Sequence, residues 1–257
     1  MRVLIIQLDT IWLKKEDNHT KILRFLKNTD VRENDLIVLP EMFDTGFCMD
    51  KKLIDKSFDV NSEKYLVDLC KIFKIYCVAG IAVKDENTSL SNQALCINPE
   101  GEVLSRYKKI HPFSYSGEDK VYESGSEVLT FKWRDKVTLS PFICYDIRFP
   151  EIFRIASKKN RPEVFIVIAN WPAKRVDVWE SILKVRAIEN QAFVVGVNRC
   201  GVDPNVNYNG QSIIFGPKGD VKFKANDLEG VHVQELDMKE VLEWRKAFPA
   251  LDDLKMI

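Results

Sequence analysis

Apolar runs of strand length alternate with helical stretches along the first third of the chain. Residues 3–8 and 35–39 form short apolar runs, whereas residues 19–27 and 62–74 repeat apolar side chains at intervals of three or four. The short runs are typical of buried strands, and the longer spacing is typical of helices that cover a sheet. The pattern therefore predicts strand, helix, strand and helix in that order, with Ser62 as the N-cap of the second helix.

The rest of the chain is richer in strands. Its predicted strands cover residues 75–83, 93–97, 103–107, 137–143, 161–169, 193–198, 212–215, 221–224 and 231–236. Helices are predicted at residues 151–159 and 178–191, and the second has an apolar repeat through Val178, Ile182, Val185, Ile188 and Ala192. Many strands separated by a few helices predict mixed sheets with helices outside them. Because no linker interrupts the pattern, we expect a single α/β domain over residues 1–257.

The amino-acid composition argues against two classes of binding partner, nucleic acids and membranes. Hydrophobic residues make up 46% of the 257 residues and charged residues 30%, which is typical of a globular protein with a large core. Lys plus Arg and Asp plus Glu number 38 each, and no basic stripe interleaves with aromatic residues. We therefore expect no nucleic-acid partner. No apolar run reaches membrane-spanning length, and the N-terminus is typical of a first strand, so we expect no membrane partner either.

The cysteines are not spaced like metal ligands or a redox motif. The chain has three histidines and six cysteines, and no CxxC pair occurs among the cysteines. They are Cys48, Cys70, Cys77, Cys96, Cys144 and Cys200. We therefore expect no metal and no other cofactor. Several of the cysteines lie inside apolar runs of a chain large enough to fold without disulfides, which favours a reducing, cytoplasmic setting.

Three ionisable residues each follow directly on a predicted strand. Cys144 follows the strand at 137–143, Glu41 follows the one at 35–39, and Lys109 follows the one at 103–107. Side chains at the carboxyl ends of strands converge on one cleft in layered α/β folds. A cysteine that attacks a carbonyl must lose its proton; a nearby lysine favours the thiolate, and a nearby glutamate can accept the proton.

Each of these residues also has a purely structural interpretation. Cysteine is among the most buried residue types, so Cys144 alone fits a small apolar residue at a strand end. Glu41 and Lys109 taken singly fit surface charges. His111 is an alternative partner for the cysteine, although Lys109 already supplies a cation. The shared position of the three residues at strand ends is what favours a catalytic site.

The segments that carry these residues resemble a known family. Three of them, 39–43 (Leu-Pro-Glu-Met-Phe), 107–111 (Tyr-Lys-Lys-Ile-His) and 143–151 (Ile-Cys-Tyr-Asp-Ile-Arg-Phe-Pro-Glu), are similar to the signature segments of the nitrilase superfamily of carbon–nitrogen hydrolases, in the family's order. Further segments at 169–172, 186–191 and 196–199 also match, so the resemblance covers nearly the whole chain. It is strongest to the branch that contains omega-amidases.

The resemblance implies a role for each of the three residues. Glu41 is then the general base, Lys109 the stabiliser of the oxyanion and Cys144 the nucleophile. The backbone N–H of Tyr145 is a further oxyanion donor. Lys109 is chosen over Lys108 because the family's lysine stands two residues before the histidine.

Other residues around the site follow from the same resemblance. The second carboxylate beside the lysine maps to Glu118, with Glu123 as a competitor. Arg148 matches an arginine that binds the substrate carboxylate in the omega-amidase branch; the alternative is an ion pair with a structural carboxylate, Glu151 or Asp146. Trp171 and Phe43 are candidates for the pocket wall, or else belong to the core.

The resemblance implies an α/β fold of four layers, an α-β-β-α sandwich. The implied activity is hydrolysis of the ω-amide of 2-oxoglutaramate or 2-oxosuccinamate to acid plus ammonia through a cysteine thioester. The alternatives are hydrolysis of N-carbamoyl amines or nitriles, and a catalytically idle binding or regulatory protein. A homodimer that pairs through the helices at 151–159 and 178–191 is also expected, unless their apolar faces cover their own sheet.

Overall fold

A computed structural model describes residues 1–255, in which two sheets pack face to face and helices cover their outer sides. The helices are α1 (Lys15–Lys27), α2 (Lys51–Asp55), α3 (Ser62–Phe73), α4 (Pro150–Asn160), α5 (Val176–Asn190) and α6 (Lys239–Ala247). The strands are β1 (Arg2–Gln7), β2 (Leu36–Val38), β3 (Tyr76–Lys84), β4 (Leu90–Ile97), β5 (Val103–Lys108), β6 (Tyr122–Glu123), β7 (Phe131–Trp133), β8 (Val137–Ile143), β9 (Val164–Ala169), β10 (Phe193–Asn198), β11 (Cys200–Val202), β12 (Asn207–Asn209), β13 (Ile213–Phe215), β14 (Val221–Lys224) and β15 (Gly230–Glu235).

The first sheet is built mainly from the N-terminal half of the chain. Its order is β15-β1-β2-β3-β4-β5, with β6 added beside β4. Strands β1, β2 and β3 run parallel, whereas β3, β4 and β5 are antiparallel neighbours. Side chains alternate between the two faces: Val3 and Ile5 of β1 point to the other sheet, and Leu4 and Ile6 point to the core under α1 and α3.

The second sheet has the order β14-β13-β10-β9-β8-β7. Its centre, β8, β9 and β10, is parallel and buried on both sides, which explains the uninterrupted apolar sequence of β9. Helices α4 and α5 cover its outer face, where Phe153 and Leu183 are fully buried. The layers are therefore helices, sheet, sheet and helices, as predicted.

Two details of the helices differ from the sequence prediction. The N-cap of α3 is Asn61, whose side chain accepts the N–H of Lys64, and Ser62 is the first residue of the helix. In α5 the buried side chains include Trp179, Leu183 and Ala187, whereas Val185 and Ile188 of the apolar repeat are 48% and 46% exposed. Both faces of α5 are apolar, so the repeat alone did not show which face meets the sheet.

The two sheets bring several strand ends to one edge of the molecule. Strands β2 and β8 end just before Glu41 and Cys144, and β9 ends just before Asn170. Strand β5 ends just before Lys109. This convergence follows from the parallel pairing of β1 to β3 and of β8 to β10, because parallel strands present their carboxyl ends on one side. No helix within residues 1–255 is long and apolar enough to cross a membrane.

Gly80 in the middle of β3 lies directly against the backbone that carries Glu41. A Cβ at Gly80 would lie 2.5 Å from the Cα of Glu41 and 2.8 Å from the backbone N of Met42. Such contacts are far inside van der Waals range, so the segment that follows β2 must move if Gly80 gains a side chain.

We therefore expect Gly80→Ala to destabilise the fold by about 1–3 kcal/mol and to lower catalytic activity, because it pushes Glu41 out of place. Thermal unfolding and turnover measure the two effects. Gly230→Ala on β15 is the matched control, since its nearest neighbour to a new Cβ lies 4.0 Å away. A Gly80→Ala variant with unchanged stability and activity would contradict the packing described here.

Candidate active site

The turn after β8 presents Cys144. Cys144 has φ +46°, a left-handed conformation that costs a non-glycine residue roughly 1–3 kcal/mol, and it opens the short 3₁₀ helix Cys144–Arg148. The amide of Tyr145 lies in the first turn of this helix, where N–H groups have no partner within the helix. It is therefore placed as an oxyanion donor would be.

Asp146 fixes this turn. Its Oδ2 accepts the N–H of Ile143 at 3.0 Å and the hydroxyl of Tyr107 at 2.7 Å, and its Oδ1 accepts the N–H of His111 at 3.0 Å. His111 Nδ1 lies 2.9 Å from the same Oδ1. His111 thus pairs with Asp146. Through Asp146 the two sheets are linked at the end of β8, directly beside Cys144.

Glu41 is completely buried and held by four hydrogen bonds. Its Oε1 accepts from Asn92 Nδ2 at 2.7 Å and from Lys109 Nζ at 2.8 Å. Its Oε2 accepts the backbone N–H of Asn170 at 2.8 Å, and its carbonyl accepts Asn170 Nδ2 at 2.8 Å. Glu41 thereby joins the first sheet to the end of β9 in the second.

Lys109 lies between two carboxylates. In addition to Glu41, its Nζ donates to Glu118 Oε2 at 2.8 Å and to Glu118 Oε1 at 3.1 Å. All three side chains are at most 1% exposed. By contrast, Lys108 pairs with Glu123 at 2.7 Å on the surface, so the structure brings Lys109 and Glu118 together and leaves the competing pair outside.

The charges of this cluster act on the Cys144 thiol. Burial and the charge of Glu41 raise the pKa of the Cys144 thiol well above its usual range, and Lys109 offsets this only in part. Burial alone would lower the pKa of Lys109, but the charges of Glu118 and Glu41 raise it above its ordinary value. Two carboxylates and one ammonium leave a net negative charge, so Cys144 rests as a thiol beside a base and not as a preformed thiolate.

Cys144 opens onto a cavity of about 170 Å³. This is below the roughly 300–1,000 Å³ of pockets that hold drug-sized ligands, so it suits a small molecule. The lining side chains are mostly aromatic or cationic and include no carboxylate within the described chain: Phe47, Phe113, Tyr115, Ser116, Tyr145, Arg148, Asn170, Trp171, Pro172, Lys174, Arg175, Val206 and Tyr208.

Two of the predicted substrate-binding residues lie at this cavity. The guanidinium of Arg148 lies over the ring of Trp171, 5.5 Å from its centroid. Within residues 1–255, Arg148 makes no ion pair with Asp146 or Glu151, and Asp146 pairs with His111 instead. Arg148 is exposed at the cavity and available to an anion.

Phe43 does not line the cavity, and of its two interpretations from the sequence the structure agrees with the core position. Phe43 is fully buried in the core under α1 and α3, where it lies beside His19 and Tyr65. The backbone turns at Met42, which has φ +43°, and this reversal carries Phe43 away from the cleft. The cavity wall is formed by Phe47, four residues further along the chain.

Comparison with known proteins agrees with this geometry. The sequence profile of the carbon-nitrogen hydrolase family matches residues 2–246. The chain belongs to this family. Similar proteins include the 2-oxoglutaramate amidase of Bacillus subtilis (strain 168), 34% identical over 97% of this chain and 96% of the relative, and the omega-amidase YafV of Escherichia coli (strain K12), 34% identical over 98% and 96%.

A solved structure supports the same assignment. XC1258 from Xanthomonas campestris, a CN-hydrolase superfamily protein with an arsenic adduct in its active site, superposes with a TM-score of 0.92 at 28% identity, covering 100% of this chain and 98% of that one. The predicted α-β-β-α fold and the resemblance to the nitrilase superfamily are thereby confirmed. This chain is a carbon–nitrogen hydrolase that acts on amides.

Sequence reasoning missed two asparagines of this carbon–nitrogen hydrolase. Asn92 bridges Glu41 and Glu118, with Nδ2 distances of 2.7 and 2.8 Å, and Asn170 holds Glu41 from the second sheet. The available signal was a polar residue within a buried strand, because such a group needs a partner. Among the described residues, no cluster of three or more His, Cys, Asp or Glu side chains could hold a metal ion.

The raised pKa of Cys144 gives a test of the role of Glu41. In Glu41→Gln the thiol loses a facing negative charge, so the midpoint of its deprotonation moves to lower pH, measured as thiolate absorbance against the same variant carrying Cys144→Ala. Turnover nevertheless falls by about 10²–10⁴-fold, because no base accepts the proton. Glu123→Gln, which removes a surface carboxylate, is the control and should change neither quantity.

A midpoint that stays in place or rises in Glu41→Gln would contradict this electrostatic assignment.

Proposed function

We propose that this carbon–nitrogen hydrolase releases ammonia from the ω-amide of a short keto-dicarboxylic acid monoamide, 2-oxoglutaramate or 2-oxosuccinamate. The observation that carries the proposal is the small cavity at Cys144, whose rim carries three cations, Arg148, Lys174 and Arg175. A substrate with a free carboxylate is attracted to such a rim. Two relatives named for omega-amidase and 2-oxoglutaramate amidase activity support the same substrate class.

Arg148 is the side chain best placed for the carboxylate. Its planar guanidinium forms two parallel hydrogen bonds with a carboxylate, and stacking on Trp171 restricts its orientation. Because the cavity wall described above carries cations and no carboxylate, an α-ammonium group would have no partner there. This favours a keto acid over the corresponding amino acid.

The first half of the proposed reaction forms a thioester. The Cys144 thiol gives its proton to Glu41 as sulfur bonds to the amide carbon, and the carbonyl oxygen becomes an oxyanion near Lys109 and the Tyr145 amide. The oxyanion then re-forms the carbonyl, the carbon–nitrogen bond breaks, and Glu41 returns the proton to nitrogen so that ammonia leaves. The acyl group remains on sulfur.

The second half releases the acid. Water gives a proton to Glu41 as its oxygen bonds to the thioester carbon, and a second tetrahedral oxyanion forms at the same donors. When the carbon–sulfur bond breaks, the proton passes from Glu41 to the leaving sulfur and restores the thiol. Glu41 thus acts as base and acid in turn. A thiol at rest suits this cycle, and the reducing cytoplasm predicted from the cysteine pattern stays part of the proposal because Cys144 must remain unoxidised.

The experiment that tests the proposal is ammonia release from 2-oxoglutaramate and 2-oxosuccinamate by the purified protein. We expect turnover by the wild type, none by Cys144→Ala, and an acyl adduct on Cys144 by mass spectrometry. The substrate proposal would be wrong if the protein did not act on the keto-acid amides. Release of carbon dioxide with ammonia from carbamoyl compounds, or turnover of nitriles, would then identify the substrate class. Absence of any turnover and of any adduct would leave a catalytically idle protein.

Arg148→Met separates binding from chemistry in the same assay. We expect KM for the keto-acid amide to rise by roughly tenfold or more, because a charged hydrogen-bonded pair contributes about 1.5–3 kcal/mol. Arg161→Met is the matched control, since Arg161 pairs with Asp252 on the surface away from the cavity. An unchanged KM in Arg148→Met would show that Arg148 does not bind the substrate.

We further propose a homodimer that pairs through α5. Val185 and Ile188 are about half exposed, and Val178 and Ile182 of the same repeat are only partly buried. In α4, by contrast, Ile152, Phe153 and Ala156 cover their own sheet. A two-fold axis would place the exposed face of α5 against its own copy and remove it from water.

Sedimentation at micromolar concentration tests the dimer. We expect a wild-type dimer and a monomer for Val185→Lys combined with Ile188→Lys, because charges are then buried at the interface. Ile72→Lys on α3 is the control: Ile72 is 71% exposed and lies on the opposite side of the molecule. A stable wild-type monomer would defeat this proposal.

A further inference from the structure

Asn92 lies at the centre of the charged cluster without touching the cavity. It belongs to β4, pairs with Ala82 of β3, and its backbone carbonyl accepts the N–H of Lys109 at 2.9 Å. It is 1% exposed. Its side chain therefore cannot meet a substrate in the cavity, and any role must act through its neighbours.

Both hydrogens of the Asn92 amide are used on carboxylates. Nδ2 donates to Glu41 Oε1 at 2.7 Å and to Glu118 Oε1 at 2.8 Å. The amide oxygen is buried and has no hydrogen-bond partner among the described residues. An unpaired buried carbonyl costs about 1–3 kcal/mol. Because the oxygen has no partner, the orientation of this amide is set by its two N–H donors alone.

The Lys109 ammonium has three hydrogens to distribute. One goes to Glu41 Oε1 and one to Glu118 Oε2, each at 2.8 Å. The third goes to Glu118 Oε1 at 3.1 Å, an oxygen that Lys109 shares with the shorter N–H bond from Asn92, so this is the longest of the three Lys109 hydrogen bonds. The third hydrogen is therefore the one most readily turned from Glu118 Oε1 to an oxyanion at Cys144.

We propose that Asn92 is a positioning residue: by donating to one oxygen of each carboxylate it weakens the bond from Lys109 to Glu118 Oε1, so that this N–H can turn to the oxyanion. A neutral donor suits this position. A second cation would cancel the net negative charge of the cluster and weaken Glu41 as a base, whereas an acid would compete for the same proton. The inference rests on the acyl-transfer chemistry proposed above but not on the identity of the acid.

The test compares two reactions of Cys144. Acylation by p-nitrophenyl acetate passes through an oxyanion, whereas alkylation by iodoacetamide does not. In Asn92→Leu, which keeps the branched shape of the side chain and removes both donors, we expect acylation to slow by about 10²-fold, as for loss of one oxyanion donor. Alkylation should be little changed. Because both reagents are independent of the natural substrate, failure of the keto-acid proposal leaves this test intact.

The natural reaction gives a second readout. On any amide that the wild type hydrolyses, the loss in Asn92→Leu should fall on kcat, with KM little changed, because Asn92 does not line the cavity. A merely structural residue would not separate kcat from KM in this way.

Two further variants keep the result decisive. Asn92→Asp preserves the shape but replaces donors with an acceptor, and we expect at least as large a loss of acylation. Asn98→Leu is the matched control, because Asn98 donates to Glu102 at 2.8 Å just beyond the end of β4, outside the active site. Equal losses of acylation and alkylation, wild-type acylation in either Asn92 variant, or failure of both to fold while Asn98→Leu folds would overturn the proposal.

Discussion

One constraint organises the active site: a lysine ammonium buried between two carboxylates. An isolated buried charge costs many kcal/mol, so Lys109 is stable in the interior only because Glu41 and Glu118 lie within 2.8 Å of it. These carboxylates in turn need donors, which the fold supplies from both sheets through Asn92 and the Asn170 amide. These ionised groups are thus held by the same interactions that make their burial possible.

The parallel strands explain how such distant residues meet. Glu41, Cys144 and Asn170 each come directly after a parallel strand, and Gly80 lets the Glu41 segment lie against β3. The positions of Glu41, Lys109 and Cys144 at strand ends could therefore be predicted from the sequence, since a strand ends where an apolar run ends. The four-layer order could be predicted in the same way with the help of the family resemblance.

The parts that could not be predicted depend on local geometry or on contacts between distant segments. Phe43 and Phe47 are equivalent in sequence terms, and only the left-handed turn at Met42 decides which of them reaches the cavity. Both faces of α5 carry apolar residues, and the inward face also carries Arg186 and Asn190, so apolar spacing does not show which face meets the sheet. Asn92 lies inside a strand, and its role depends on contacts with Glu41 and Glu118, which are distant from it in the sequence.

The resting state of Cys144 also has a consequence for the lifetime of the protein. Peroxide attacks the thiolate, and the first product, a sulfenic acid, can proceed to irreversible sulfinic and sulfonic acids. Because burial and the charge of Glu41 raise the pKa of the Cys144 thiol, little thiolate is present for peroxide to attack. The charges around Cys144 thus protect its sulfur against oxidative damage.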